Sequence, residues 1–214
     1  LSTLSVSNSL LESKSIKDRI VLEDVPSGRE YLEPIIDAMK KNRFIHICYF
    51  NYWKGDTRDH YVMPLCVKLF RQRWYMVGRN WPAGRNLVFC LDRIRDFRIS
   101  SHTFKFPEDF DTQEYFNGCI GVIPGDRCGI EKVKIKVSSG QANYLRDLPL
   151  HDSQQETEQT DEYSIFELLV RPTFDFQQEL LWNGEDLEVL EPLWLRKEVA
   201  GKIKRMWNRY KEDE

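Results

Sequence analysis

Residues 70–79 constrain the fold of this chain more than any other stretch. Read as a β-strand, they divide cleanly by period two. Phe70, Trp74 and Met76, with Gln72, fall on one face, and Arg71, Arg73, Tyr75, Val77 and Arg79 fall on the other. The aromatic and β-forming content suits a strand that buries one face in a core. Presenting three guanidiniums and a phenol on the opposite face is unusual for a purely structural strand, although exposed arginines on strands are common.

The pattern on either side of this stretch is one of short strands. Ser27 followed by Glu30 forms a capping box, and Leu32, Ile35, Ile36 and Met39 follow with helical spacing, so a helix is expected over 28–41. Residues 44–52 alternate as a first strand, Lys54, Gly55 and Asp56 turn the chain, and 58–69 form a second strand. Pro64 cannot donate to a ladder, so it marks an edge or a bulge there. After the 70–79 strand, Trp81, Pro82, Ala83 and Gly84 form a turn. Residues 86–91 return, and 94–99 supply a fifth strand. One helix and five short, bent strands describe a small SH3-like or Sm-like β-barrel over 27–104.

Residues 105–129 are a loop-rich connector whose Phe106, Phe110, Tyr115 and Phe116 are expected to dock it onto a core. From 130 the pattern changes to a strand (133–137), a short helix (141–148), a hairpin (150–158 with 163–171), a helix opened by Asp175 and Gln178, a strand (187–190) and a terminal helix. Val199, Ile203, Met206, Trp207 and Tyr210 mark one face of that last helix. The order β-α-β-β-α-β is ferredoxin-like. The fold class is therefore α+β, a small barrel with a preceding helix followed by a ferredoxin-like α+β extension over 130–214. Residues 1–26, Ser-rich and then mixed in charge, read as a tail or linker from an upstream DNA-binding domain, because the chain starts at Leu1 without an initiator methionine.

At 214 residues with 41% hydrophobic and 13% aromatic content, the chain can bury a substantial core. The apolar segment 35–39 is far too short to span a bilayer, and no signal-like run opens the chain. Five cysteines without a Cys-x-x-Cys pair, and four histidines without ligand spacing to them, point to reduced thiols and no zinc site. The expected location is cytoplasmic, with no membrane contact and no cofactor.

Net charge is −3, which argues against a surface coated for nucleic acid, but its distribution is uneven. Residues 68–98 carry eight Lys/Arg against Asp92 and Asp96, a local balance of +6, whereas 152–162 carry five acids and no base. A locally basic strand pair in an acidic protein fits a confined anion site. Arginine supplies a planar fork matched to phosphate or carboxylate oxygens. Strand parity puts Arg73, Tyr75 and Arg79 on one face and Arg93 with Arg95 on another. Tyr49 and Asn51 share a face of the first strand, and His60 begins the second. The bland readings stand beside these. Asp92 can pair with Arg93 or Arg95 or close a turn, His60 can be a solvated strand-end residue, Trp74 is a core residue, and the other tryptophans lack a spacing that favours base stacking over packing.

Trp74, Tyr75 and Met76, framed by Met63 and Pro64 upstream and by Leu91, Asp92, Arg93 and Ile94 downstream, resemble the signature of the WYL-domain family. Met76 replaces a leucine there, a volume-conserving change for a core position. Those proteins are mostly bacterial ligand-sensing regulators of transcription, so the resemblance implies the same barrel, a C-terminal extension (to which residues 149–154 are similar) and a helix-turn-helix domain upstream. It also implies ligand or nucleic-acid contact by Tyr49, Tyr75 and Arg93. Asn51 stands where many members have a serine. His60, Arg73, Arg79 and Arg95 join the candidate ligand-binding set from position and chemistry.

The expected function is the regulatory portion of a WYL-type transcriptional regulator. It would bind an anionic ligand, a nucleotide or single-stranded nucleic acid, through the basic strands. A homodimer would change state on binding, and promoter DNA would be read by the upstream domain. The alternative is a protein–protein interaction or dimerisation module without a nucleic-acid ligand. Enzymatic signals are poor. His151, Asp152 and Ser153 are consecutive and do not converge as a triad does, residues 121–129 lack the Lys-Ser/Thr of a phosphate loop, and no His-Glu-x-x-His occurs.

Overall fold

A computed structural model describes residues 28–124 and 128–211, and they form two antiparallel sheets with helices. The expected tail at 1–26 and Ser27 of the capping box lie outside the described residues. Within them, Glu30 Oε2 accepts a hydrogen bond from Gly28 N (2.9 Å). Gly28 itself sits at φ 103° against the backbone of Leu91 and Asp92, where a Cβ has no room. A single 3-10 turn leads into α1 (Leu32–Lys40), which buries Ile35 and Ala38.

The first sheet contains β1 (Arg43–Asn51), β2 (Asp56–Phe70), β3 (Arg73–Asn80), β4 (Arg85–Cys90) and β5 (Ile94–Thr103), ordered β4-β3-β2-β1-β5. Its inner face places Ile45, Ile47, Val62, Met76 and Phe89 under α1, with Leu91 and Ile94 closing the end. Met76 is fully buried there. Truncating such a side chain to alanine costs about 2–5 kcal/mol. β4 and β5 are the two edges and do not hydrogen-bond to each other. A 3-10 turn (Leu91–Arg93) carries the chain between them, and Tyr49 Oη on β1 accepts a hydrogen bond from Cys90 N (3.1 Å) across the gap. The sheet thus curls as a barrel does, with a side chain bridging the space where a ladder would close it. Pro64 faces Gly78 at a register shift, so the bulge expected of it lies in an interior strand.

The 70–79 stretch is not one strand. Phe70 ends β2, and Arg71 (φ 45°) and Gln72 (φ 60°) form a two-residue hairpin turn with both residues left-handed. That geometry matches strand twist but normally recruits glycine or asparagine, so nothing in Arg-Gln announced it. Strand parity holds only from Arg73 onward. Trp74 and Met76 join the inner core, while Val77 faces the other side.

That other side is covered by the connector. Phe110 packs against Leu65, Cys66 and Val77, and Tyr115 and Phe116 pack beside it. Phe110, Tyr115 and Phe116 have the docking role expected of them, whereas Phe106 stays exposed, its ring edge-on to Phe110 with centroids 6.2 Å apart. Asp111 caps the short α2 (Thr112–Tyr115) by accepting from Glu114 N.

The second sheet is ordered β7-β8-β6-β9, from β6 (Glu131–Ser138), β7 (Gln155–Gln159), β8 (Tyr163–Val170) and β9 (Leu187–Glu191). With α3 (Ser139–Asp147) and α4 (Phe174–Trp182) it is the ferredoxin-like arrangement, and α5 (Leu193–Tyr210) follows. Val133, Ile135 and Val137 of β6 face Ala142, Leu145, Phe176 and Leu180 of the helices. Asp175 does not open its helix as expected. Thr173 occupies the cap position, and the Asp175 carboxylate instead accepts from Val122 N (2.8 Å) and Ile123 N (3.0 Å). α5 buries Leu195 and Val199, but Ile203, Met206, Trp207 and Tyr210 of the same face remain exposed.

Candidate functional site

The candidate residues separate into three groups. Tyr49 and His60 lie at the rim of the inner face. The Phe89 ring meets both edge-on, with centroids 5.1 Å from each. Burial raises the Tyr49 phenol above its ordinary value and lowers the His60 imidazole, so both are neutral near pH 7. With its oxygen engaged by Cys90 N, Tyr49 holds the barrel rim together.

Arg73, Tyr75 and Arg79 share the face of β3 that the connector and the Leu91–Arg93 turn cover. Arg73 donates to Asp92 through Nε (3.0 Å) and through a second guanidinium nitrogen, so it is Arg73, not Arg93 or Arg95, that takes the Asp92 carboxylate. Burial works to raise the Asp92 carboxyl, yet bonds from Cys90 and Arg73 hold it below its usual range. Arg79 donates to Asn86 Oδ1 and forks onto Asp109 (3.0 and 3.2 Å). Tyr75 is half-buried beside Cys90. Burial, then the Cys90 thiol, pushes its phenol up to about 12, and burial with Asp92 pushes the Cys90 thiol up to about 11. Asn51 closes the β1–β2 turn by accepting from Trp53 N (2.9 Å) and Lys54 N (3.2 Å). An asparagine in place of a serine therefore has a local reason, the geometry of an Asx turn.

Arg93 and Arg95 form the third group. Arg93 is not on a strand as expected but in the 3-10 turn, and Arg95 follows it at the start of β5. Among the described residues neither has a carboxylate within 4 Å, since Asp92 faces Arg73 and Asp96 pairs with Arg98. Both lie against aromatic rings instead. The Arg93 guanidinium is 4.2 Å from the centre of the Tyr52 ring, and that of Arg95 is 5.4 Å from Phe50. Arg93 Nε is buried without a hydrogen-bond partner among the described residues. Phe50 and Tyr52 touch edge-on (5.7 Å). Tyr52 is 54% exposed and the neighbouring Trp53 is 96% exposed.

Phe50, Tyr52 and Trp53 were absent from the sequence-derived set. Their signal was weak but present, three aromatics at the end of a strand leading into a polar turn. What could not be read was that the 91–93 turn would bring two arginines onto them. A guanidinium stacked on a ring keeps its in-plane donors free for phosphate oxygens, while the ring offers a face to a base or another planar group. No group of three His, Cys, Asp or Glu among the described residues is placed to hold a metal ion. None of the five cysteines is in a disulfide among the described residues. His151 Nδ1 and Ser153 Oγ lie 2.8 Å apart, but Ser153 Oγ also donates to Leu169 O and accepts from Leu169 N, so this pair ties the loop before β7 to β8. No described helix is long and apolar enough to cross a membrane.

Two family models match the chain, the WYL domain over residues 30–99 and the WCX domain over residues 130–207. Among curated proteins none matches. Solved structures similar to this chain include the proteasome accessory factor PafBC of Arthrobacter aurescens, 18% identical, covering 86% of this chain and 28% of that one, with a TM-score of 0.41. A second is a CRISPR Cas-related protein, 14% identical, covering 84% of this chain and 51% of that one, with a TM-score of 0.45. The chain thus spans about a quarter and about half of the length of these two proteins. The curled five-stranded sheet under one helix coincides with the WYL match and the ferredoxin-like sheet with the WCX match, and the chain belongs to the WYL-domain family.

Proposed function

We propose that this chain is the ligand-sensing portion of a WYL-type transcriptional regulator and that its ligand is anionic, a nucleotide or a single-stranded nucleic acid. The observation that carries this reading is the pair of ring-stacked guanidiniums, Arg93 on Tyr52 and Arg95 on Phe50, without carboxylate partners among the described residues. An arginine held for structure is normally neutralised in place, as Arg73 and Arg79 are. One without such a partner among the described residues, stacked as Arg93 is on the exposed ring of Tyr52, suits phosphate and base together. Tyr49, His60, Arg73 and Tyr75 then support the rim, and Asn51 orients the turn that carries Tyr52 and Trp53.

In this reading residues 27–104 sense the ligand, 105–129 connect and 130–214 transmit. A DNA-binding domain upstream of Leu1 reads promoter DNA, and the ligand shifts a dimer between two states for which it has different affinities. Several cross-links support transmission. Lys68 Nζ on β2 donates to Gly121 O (2.6 Å), and Arg71 in the β2–β3 turn donates to Glu179 of α4 (2.8 and 3.1 Å). The competing reading, an interaction module with no nucleic-acid ligand, draws on the exposed apolar face of α5. Fluorescence anisotropy with a labelled single-stranded oligonucleotide, competed by unlabelled mononucleotides, separates the cases. Competition by mononucleotides identifies a small-ligand sensor, competition only by oligonucleotides a strand binder, and no binding at low salt defeats the proposal.

A further inference from the structure

The connector covers only part of the outer face of the first sheet. Phe110 takes the side over Leu65 and Val77, and Met63 packs at the margin of that cluster. Beyond Met63 lies a cleft of about 650 Å³ that no described residue fills. Sites for small molecules are commonly about 300–1,000 Å³, with apolar walls and a few polar groups. Four rings build this one. Phe44, only 8% exposed, stacks on Tyr61 with ring centres 4.7 Å apart and planes 7° apart. Trp81 and Phe104 meet Phe44 edge-on, with centres 6.2 and 5.3 Å away. Backbone bonds place them on either side of it. Trp81 N donates to Tyr61 O on β2 (2.8 Å), and Phe104 N donates to Asn42 O just before β1 (2.8 Å). Trp81 is nevertheless 53% exposed, more than a ring recruited only for packing would leave open.

The polar groups of the cleft converge. Tyr61 Oη lies 2.9 Å from Ser100 Oγ and 3.4 Å from His102 Nδ1, and those two lie 3.2 Å apart. The charges around them cancel. No Asp or Glu lines the cleft, and Lys105, which does, is paired with Glu108. On the same face Arg79 is paired with Asp109, Arg98 with Asp96, and Asp59 lies 4.0 Å from His46. Arg43 and Arg85 are exposed nearby, but strand alternation puts them with Ile45 and with Leu87 and Phe89, on the inner-face side. An ion placed among these rings would therefore lack a counter-charge, which makes its desolvation costly. An uncharged ring system meets no such penalty.

We propose that this cleft binds an uncharged, planar aromatic small molecule bearing one hydrogen-bonding group, at a second ligand site chemically distinct from the ring-stacked arginines. The rings take the planar body by stacking and edge contact, and the Tyr61–Ser100–His102 cluster takes the polar group. The two sites stand at opposite ends of β1. Six residues separate Phe44 from Phe50, a rise of about 20 Å. Phe104 is also where β5 passes into the connector, so a molecule bound here touches the segment that leads to the second sheet. The proposal stands independently of the anionic-ligand reading, since its probe carries no charge.

The test is calorimetric titration of the full chain with 1-naphthol, and with naphthalene, 1-naphthoate and tetramethylammonium as comparators. 1-Naphthol should bind saturably at one site per chain, and the anion and the cation about tenfold more weakly or not at all. Trp81→Ala should lower 1-naphthol affinity about tenfold, and Trp81→Phe should recover most of it. Both variants should stay folded by circular dichroism, since Trp81 is half exposed. Tyr61→Phe should weaken 1-naphthol about threefold while leaving naphthalene unchanged, because only the hydroxyl is lost. Trp207→Ala on α5, where the ring is 64% exposed, should change nothing and so separates the cleft from exposed tryptophans in general. Absent or non-saturable 1-naphthol binding, 1-naphthoate or tetramethylammonium binding as tightly, unchanged affinity in Trp81→Ala, or an equal loss in Trp207→Ala would overturn the proposal.

Discussion

Arg93 holds its guanidinium 4.2 Å above the ring of Tyr52, with its Nε buried and unpartnered among the described residues. Its neighbour in sequence, Asp92, turns away to Arg73. The short turn after β4 therefore splits a charged triplet into a neutralised pair that fixes the barrel rim and a cation left open beside exposed aromatics.

Removing either half of that stack should weaken ligand binding without unfolding the protein. For Tyr52→Ala the loss of base stacking is about 1–3 kcal/mol, roughly 5- to 150-fold in affinity. Far-UV circular dichroism and melting temperature should be unchanged, since Tyr52 is more than half exposed. Arg79→Ala provides the contrast. It removes the links to Asn86 and Asp109 that tie β3 to β4 and the connector, so it should lower melting temperature while leaving oligonucleotide affinity near wild type.

The Arg73–Asp92 pair should show itself as acid sensitivity. The folded carboxyl of Asp92 is held below its unfolded value of about 3.9. Its contribution is therefore full above that value and is lost as pH falls through the folded one. Asp92→Asn should cost about 1–3 kcal/mol at neutral pH, because Asp92 is nearly buried while Arg73 is about one-third exposed. The difference between variant and wild type in urea melts should shrink below about pH 4. A difference that stays constant with pH would remove the ion pair from the account.

His60 acts at milder pH. Burial lowers its folded value below the unfolded one of about 6.5, so the neutral ring favours the fold and stability falls as pH drops from about 6.5 towards the folded value. His60→Phe should keep the contact with Phe89 and flatten the stability profile between pH 5 and 7, measured by denaturant titration at each pH.

Gly121 tests the joint between the sheets. It sits at φ 95° directly against the Asp175 carboxylate, which holds Val122 N and Ile123 N. Gly121→Ala combines backbone strain with a displaced carboxylate and should cost about 2–4 kcal/mol. Gly129→Ala, where nothing lies within 4 Å of a Cβ, should be near neutral.

Much of this fold was legible because hydrophobic period and turn chemistry agreed. Val133, Ile135 and Val137 alternate, Leu32, Ile35 and Met39 wind, and Trp74 and Met76 mark the inner face that the structure confirms. What failed was chemistry without a local signature. Arg71 and Gln72 adopt a left-handed turn that favours other residues, and Asp175, placed like a cap, reaches across to a loop instead. The site was half legible for the same reason. Arginines can be counted in a sequence, but which of them meet Asp92, Asp109 or an aromatic ring depends on the 3-10 turn at 91–93 and on the connector. Neither follows from period-two parity.

The most direct measurement is the slope of log affinity against log salt for a short single-stranded oligonucleotide, in wild type and in Arg93→Ala with Arg95→Ala. The account predicts salt-dependent wild-type binding, with affinity falling and the slope shrinking by about 1.4 in the double variant, since each single-strand phosphate contact contributes about 0.7. An unchanged slope and affinity in a folded double variant would contradict it.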